Sequence, residues 1–496
     1  MPLLCFLSFT VLSSIPNNSV SLPDGGALTL EFVTSRALES SDKFQEIRAG
    51  VIESRVPELQ AHGYYDPLLS ARFLYQNNQN EPAVSYQPVG EKGWKGSVGI
   101  ASNIPSGTSL SARLSHEKNQ LELLGSPTSR YHYDRVDFEA RQSLIRDFLG
   151  LRGRNLAKAG ALSTKALKHQ LALLSEELWL TYADYFYSSW LLQRETEAAK
   201  GRLNRRRSLE SVSEKRFKRG TSESADHLQV QAARIGAETD FATRNLQLGD
   251  IWRALILSLH LPSEFLQMDP LLVPMKLDDP SERSLELCQA VTEADLEKLS
   301  SGSRVAKLQS AASQAAAQSA KLTALPELSA VGALSAGNQD PEMSEALKDS
   351  AQFKNKGWSI GLEFEMPLFL RKERAEALAR KAAADRDLAR ASQQRTSDWV
   401  QFRNLCEEVK TKKQLLVSQR AILKKQEDRE QSLERRYRIG DSNVFDVVQA
   451  GDDRSLAETS LFRMEVDLRL ASWKVIRLAG GLKEQVAFAL GLEKFE

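Results

Sequence analysis

Residues able to do covalent chemistry are few in this chain and lie far apart. Its three cysteines, Cys5, Cys288 and Cys406, have no metal-type spacing, and its six histidines are as widely dispersed. No nucleophile stands beside a base, so no catalytic centre, cofactor or metal site is expected and the chain reads as a non-enzyme. Cys288 and Cys406 fall in helical patterns and read as small buried hydrophobes. What does recur is charge. Arg216-Phe217-Lys218-Arg219-Gly220 returns 220 residues later as Arg436-Tyr437-Arg438-Ile439-Gly440. Each copy carries a Ser two residues past the Gly (Ser222, Ser442) and an Asp six past it (Asp226, Asp446). A carboxylate flanked by arginines suits electrostatic work, such as ion selection or pairing with a neighbour.

The motif sits where one helix hands over to the next. Gly220 and Gly440 suit the left-handed residue that ends a helix. Ser222 and Ser442 suit the N-cap of the following one. Asp226 and Asp446 then fall in the first turn, where the helix dipole alone favours a carboxylate. The same offset of 220 relates Trp179 to Trp399 and Tyr182 to Phe402, so the chain reads as an internal duplication with an unusually long repeat.

Proline placement sets the elements that carry these tips. None occurs from Thr128 to Leu261, and none after Pro367. Proline removes a donor and clashes with the preceding turn, so both stretches can be almost wholly helical. They are rich in Ala, Leu, Glu, Lys, Arg and Gln, which favour helix. Each becomes an antiparallel hairpin, over 150–260 with its tip at 217–222 and over 370–490 with its tip at 437–442. The arm from Arg371 to Arg436 would be about 100 Å long, too long to bury in one globular core. Leu171, Leu174, Leu178, Tyr182 and Tyr185 recur at steps of three and four, a seam for packing on other helices.

Composition excludes some classes. Among 496 residues the net charge is +1, which points to no nucleic-acid partner. Arg205-Arg206-Arg207 reads as a solvated helix face. No run of about 18 apolar residues predicts a membrane-spanning helix. Residues 1–22 open on an apolar stretch, Leu3 to Leu12, and read as an export leader although no Lys or Arg precedes it.

Before each hairpin the period changes from helical to alternating. In the first half alternation appears over Pro67–Gln76, Ser97–Asn103, Ser109–Ser115 and Tyr131–Leu144, within 64–145. In the second half it covers 326–337 and 357–367. There Trp358, Ile360, Leu362 and Phe364 oppose Ser359, Gly361, Glu363 and Glu365. A soluble sheet with one buried face and a membrane barrel both give this pattern. Short helices precede the strands, opening at Thr29-Leu30-Glu31-Phe32 and at Ser284-Leu285-Glu286-Leu287. A proline-rich linker over 261–281 separates a first repeat, 28–260, from a second, 282–496.

Together these residues resemble the TolC-like outer-membrane efflux proteins, from about Leu28 onward. The resemblance rests on Tyr437-x-x-Gly440 with Ser442, Asp446, Val447 and Val448, and on Trp358-Ser359-Ile360-Gly361-Leu362 followed by Met366-Pro367-Leu368-Phe369. Ser143-Leu144-Ile145-Arg146-Asp147-Phe148 with Asn155 is similar to the first-half signature, with Ser143 in place of proline. The duplication itself is the fourth landmark.

What the resemblance implies is a mixed α/β membrane protein. Its homotrimer would form an outer-membrane β-barrel continued by a long periplasmic α-helical barrel. It would lie in the outer membrane of a Gram-negative bacterium, in contact with its lipid, and extend into the periplasm. It would be the passive exit duct of a tripartite efflux or type I secretion system, with an inner-membrane pump and a periplasmic adaptor as partners. The resemblance also implies a gate at Asp446, Gln449, Tyr437 and Arg436, and adaptor docking at Phe217, Gly220, Ser222, Gly440 and Ser442. Gln449 stands where family members can carry a second acid, which thins any selectivity ring to Asp446. Phe217 and Tyr437 also read simply as packing residues. The arginines Arg216, Arg219, Arg436 and Arg438 could be solvated, cap helix ends, or pair with acids of neighbouring subunits. The first half has four strand-like segments where the family shows two. The extra pair around Pro105-Ser106-Gly107 could be an extracellular hairpin, the preferred reading, or could enlarge the barrel. A periplasmic adaptor and a soluble coiled-coil scaffold are the alternatives. The two equal hairpins argue against the first, and the alternating strands against the second.

Overall fold

The computed structural model describes residues 27–79, 88–123 and 129–491, so the leader expected over 1–22 and Cys5 lie outside the described residues. In chain order the principal helices are α1 (Leu30–Ser40), α2 (Leu151–Lys218), α3 (Ser224–Ser258), α4 (Ser281–Ala290) and α5 (Ser301–Thr323). They continue as α6 (Met343–Ala351), α7 (Arg371–Ile439) and α8 (Val444–Leu478). Six long strands are β1 (Leu68–Gln79), β2 (Pro88–Ile104), β3 (Thr108–Leu123), β4 (Ser129–Ser143), β5 (Glu327–Asp340) and β6 (Lys356–Glu365). Helices α2 and α7 have 68 and 69 residues, and α3 and α8 have 35 each. Their proline-free sequences sustain these lengths, and Lys215, Arg216 and Lys218 in the last turn of α2 complement its dipole. No helix among the described residues is long and apolar enough to cross a membrane.

The chain divides into two compact units that cut across its two halves. The strand unit comprises Ala49–Leu173 and Glu293–Trp399. The helical unit takes in the described residues up to Arg48, Leu174–Thr292, and those from Val400 onward.

In the strand unit the six strands form one sheet in the order β1-β2-β3-β4-β5-β6, antiparallel throughout. Cross-strand partners share a face, which fixes two chemically different surfaces. One row runs Leu69, Ile100, Ala112, Phe138, Leu334, Trp358. The rows on either side begin Ala71, Val98, Leu114, Val136 and Ser102, Leu110, Ala140, Gly332, Ile360. These apolar side chains are bare, with Trp358 at 78% and Ile360 at 79% exposure. The opposite face carries small and charged residues. Its rows include Ser70, Gly99, Arg113, Asp137, Ser335 and Arg72, Ser97, Ser115, Arg135, Gly337. The edges β1 and β6 are each paired on one side alone.

The extra strands are β2 and β3, and they are full members of this sheet. Their turn at Pro105-Ser106-Gly107 lies at the helix-bearing end, which overturns the extracellular-hairpin reading. The Ser143 amide donates to the Gly107 carbonyl (3.1 Å), and Gln142 Nε2 donates to the Ser106 carbonyl (3.2 Å). Gly107 and Gly150 both have positive φ, 78° and 71°, and their backbones interlock. Beside them Asp147 starts α2 by accepting from the amides of Arg152 (2.7 Å) and Gly153 (3.2 Å), while Tyr64 donates its hydroxyl to the same carboxylate (3.1 Å). Sequence alternation could mark these strands but not the end at which their turn lies. That depends on what the turn packs against.

In the helical unit Thr29 caps α1 by accepting from the Phe32 amide (3.2 Å), and Leu28–Thr29 pairs in parallel with Met275–Lys276. The second short helix begins at Ser281 rather than at Ser284. Asp278 accepts from the buried Tyr187 hydroxyl (2.5 Å) and from Trp473 Nε1 (3.1 Å). Burial beside this carboxylate raises the Tyr187 pKa far above that of an ordinary phenol. Cys288 and Cys406 are not free hydrophobes: they form a disulfide joining α4 to α7 with Cα atoms 5.8 Å apart. They lie 118 residues apart, and spacing of that kind carries no signal of pairing. The bridge suits an oxidising compartment. Replacing both cysteines by serine is expected to cost about 2–4 kcal/mol of stability. A thermal midpoint of the wild type unmoved by dithiothreitol would deny the bridge that role.

Candidate functional site: the hairpin tips

Both tips lie in the helical unit and close in the same way. The Thr221 amide reaches back to the Arg216 carbonyl (3.0 Å) and the Gly220 amide to that of Phe217 (2.9 Å). Asp441 and Gly440 repeat this on the carbonyls of Arg436 (2.9 Å) and Tyr437 (3.1 Å). This paired pattern requires a left-handed residue after the helix, supplied by Gly220 at φ 72° and Gly440 at φ 92°.

The serines do not cap as expected. In the second tip Asn443 holds the N-cap and accepts from the Phe445 amide (3.0 Å), one residue beyond Ser442. In the first, Glu223 stands at the N-cap without a side-chain bond, and Ser222 donates to Asp226 (3.2 Å). The amide of Asn443 competes well for this position, and its loop geometry carries the helix start one residue further. Asp226 and Asp446 do lie in the first turns of α3 and α8, and Asp446 is exposed.

The tips are joined through Tyr437. Its ring is 2% exposed and packs with Leu209, Val230, Val444 and Val447 in one apolar cluster drawn from both hairpins. Its hydroxyl is buried without a hydrogen-bond partner among the described residues. Arg216 lies over the ring, 4.5 Å from its centroid, and donates to the Tyr437 carbonyl (2.9 Å). The first tip thus clasps the second through one guanidinium. Phe217 instead stacks on His227 at 5.5 Å and stays partly exposed. Arg436 bonds the Asp441 side chain (3.0 Å) and carbonyl (3.1 Å) and so caps its own helix end. Gln449 donates to Asp453 (2.9 Å), which pairs with Arg429 (2.7 Å). Asp446 and Gln449 are therefore one helical turn apart, and only the former presents a charge.

Arg216→Ala is expected to loosen this junction by about 1–2 kcal/mol, the scale of a partly desolvated cation–π contact with its hydrogen bond. Amide exchange over Val444–Val448 should rise roughly tenfold, with Arg216→Lys intermediate. Exchange unchanged by the alanine would mean the cluster holds without the arginine.

Above the tips the arginine run departs from expectation. Arg206 is 3% exposed and donates to Asp452 (2.8 Å) and to the Val448 carbonyl (2.6 Å). Arg202 shares Asp452 (2.6 Å), and Arg205 lies 3.3 Å from the buried Glu430. Arg454 approaches Glu427 and Glu430, at 3.0 Å each. Only Arg207 is the solvated residue the sequence suggests. Burial lowers the Arg206 pKa and raises those of Glu434 and Glu458. Gly451 makes room: a Cβ there would fall 2.7 Å from Glu430 and 2.9 Å from Arg206. The i, i+4 spacing of Arg202 and Arg206 hints at a shared face, but not at what that face meets.

The tips offer an exposed carboxylate, a buried tyrosine and charged pairs that hold four helices together. No protein-family model matches the chain, nor does any curated protein by sequence. Solved structures do match. The outer membrane protein VceC of Vibrio cholerae has a TM-score of 0.67 at 12% identity, over 91% of this chain and 96% of that one. The CmeC outer membrane channel of Campylobacter jejuni gives 0.66 at 13% identity, over 94% and 90%. The MtrE outer membrane channel of Neisseria gonorrhoeae, in its open state, gives 0.59 at 14%, over 91% and 88%. By these matches the chain has the TolC-like outer-membrane channel fold.

Proposed function

We propose that this chain is the outer-membrane exit duct of a tripartite efflux or type I secretion system, assembled as a homotrimer from an internally duplicated protomer. The observation that carries the proposal is the sheet, with a bare apolar face, a polar face and two unpaired edges. From Leu328 to Leu334 the apolar face extends six residues, about 20 Å along a strand and about 15 Å once tilted as in a barrel, and Ala336 beyond it is buried. That is more than half of the apolar band of an outer-membrane barrel, about 25 Å tall. The three rows starting at Ile104, Ser102 and Leu69 carry no charged side chain. In lipid each unpaired backbone group costs several kcal/mol, so β6 of one subunit closing on β1 of the next removes both edges. Leu174 and Tyr185, about two-fifths exposed on the α2 seam, suit contacts with neighbouring subunits.

The nearly equal lengths of α2 and α7, and the equal lengths of α3 and α8, support the duplication. In this reading the tips are the periplasmic end, where the adaptor docks around Phe217, Gly220, Ser222, Gly440 and Ser442. Gating there separates the tips without covalent chemistry, and Tyr437 and Arg436 help to hold them closed. Three Asp446 carboxylates near one axis would favour cations, and Gln449 adds no charge to the ring.

The test is conductance of the purified oligomer in planar bilayers. Wild type should form cation-preferring channels, and Asp446→Asn should lower the cation preference at least twofold. Absence of any channel defeats the duct. Unaltered selectivity would return Asp446 to its helix-dipole role.

A further inference from the structure

Strands β2 and β3 are more than the second half of the chain supplies, since β5 and β6 are its only pair in the sheet. We infer that this hairpin is a working part of the pore wall, so that each subunit contributes six strands and the closed trimer is an eighteen-stranded barrel. The inference rests on the exit-duct reading and goes beyond it by fixing the width of the lumen.

Three observations place the hairpin in the wall. Register is continuous on both sides, from Leu68–Ala101 to Gln79–Gly90 against β1 and from Thr108–Gln142 to Leu121–Ser129 against β4. The faces agree with those of the flanking strands. Val98, Ile100, Leu110 and Leu114 continue the apolar surface and remain exposed, while Ser97, Gly99, Ser111 and Arg113 continue the polar one. A hairpin standing out in water would have no reason to keep an exposed apolar stripe level with its neighbours.

The third observation is the turn. A Cβ on Gly107 would fall 2.1 Å from the Asp147 carbonyl oxygen, and one on Gly150 would fall 1.9 Å from that of Pro105. Thr108 donates to Gln142 Oε1 (2.5 Å) in the same corner. The hairpin therefore runs the full height of the sheet and is seated at the start of α2.

The inward residues widen the lumen rather than fill it. Ser97, Gly99, Ala101, Ser109 and Ser111 are small, and of the larger inward residues of these strands Lys95 and Glu117 pair with each other along the wall, so two more strands per subunit add more circumference than Arg113 and this pair occupy. Barrel diameter grows roughly linearly with strand number. Eighteen strands against twelve is about 1.5-fold in diameter and about 2.2-fold in cross-section. The structure thus assigns this pore to bulkier solutes than four strands per subunit would admit.

The topology supplies its own control. Gln79 and Ser129 lie at the same end of the sheet, so deleting residues 80–123 joins β1 to β4 and leaves up–down order intact. The experiment is the partition of graded polyethylene glycols into the purified oligomer in planar bilayers, added at the barrel mouth. Deletion should reduce the largest polymer that enters by about one-third in hydrodynamic diameter. An unchanged cut-off overturns the eighteen-stranded wall while leaving the duct standing. A wild-type oligomer with no conductance overturns both.

Should the deletion not assemble, single cysteines decide. A bulky, water-soluble cationic thiol reagent applied at the barrel mouth should reduce conductance through Arg113→Cys and leave Leu114→Cys unaffected. Equal responses at the two positions would remove β3 from the wall.

Discussion

Gly150→Ala is expected to prevent the strand unit from reaching its native state, a larger effect than any glycine substitution at the hairpin tips. The added Cβ would lie 1.9 Å from the Pro105 carbonyl oxygen and 2.7 Å from its carbon. Both atoms are backbone, so no side chain can swing aside. The residue also has φ 71°, where an L side chain costs about 1–2 kcal/mol. Forcing the turn away from the start of α2 adds overpacking and the loss of its hydrogen bonds. The sum is at least about 4 kcal/mol, in the range where a substitution abolishes folding. Gly107→Ala should match it, for its Cβ would meet the Asp147 carbonyl. Gly220→Ala is the control: φ is 72°, yet no atom lies within 4 Å of the added carbon. It should cost only about 1 kcal/mol. Yield of heat-resistant oligomer and its thermal midpoint give the comparison. Equal losses at Gly150 and Gly220 would mean the turn is not packed as described.

Arg206→Ala should cost about 2–4 kcal/mol, the scale of losing two charge-assisted hydrogen bonds together with the packing of a buried side chain. Asp452 would keep Arg202 and Glu430 would keep Arg205 and Arg454, but the Val448 carbonyl would lose its donor. Arg207→Ala, one residue along, removes a side chain that is 55% exposed and pairs with Glu238 at 3.2 Å. Screening by water limits that pair to about 0.5 kcal/mol. Denaturant titration should place the Arg206 variant clearly below the Arg207 variant in stability. A small effect at Arg206 would show that water enters the cluster and solvates the acids in its place.

These contrasts indicate where the sequence speaks and where it falls silent. The alternation from Trp358 to Phe364 was legible because a strand has period two, and the structure puts the apolar set on one face and the small and acidic set on the other, both exposed at this sheet edge. Gly220 and Gly440 were legible because a left-handed helix end nearly demands glycine. Helix length was legible from the absence of proline. Arg206 was not, because a helix touched on several sides buries charge on a face that its own periodicity does not identify. The Cys288–Cys406 bridge was hidden by distance along the chain. The end of the sheet that holds Pro105-Ser106-Gly107 was hidden for a related reason, since a turn sequence says that the chain reverses and not where. At the tips, Asp446 and Gly440 took their expected positions, whereas Ser442 yielded the cap to Asn443. Tyr437 is buried and packs, in line with the packing reading of its sequence.

Helix α2 is 68 residues without a break, and this restricts how such a chain can change in length. One inserted residue rotates everything beyond it by about 100°. Upstream of Arg206, it would swing the guanidinium away from Asp452 and turn Arg216 off the Tyr437 ring. The faces return to within about 20° only after 7 or 11 residues, and fully after about 18, which is five turns. A matching insertion would be needed in α7, because the two tips must still meet. Reach in this molecule is therefore granular: it can be lengthened or shortened only in coarse paired steps, and intermediate lengths fall between stable arrangements.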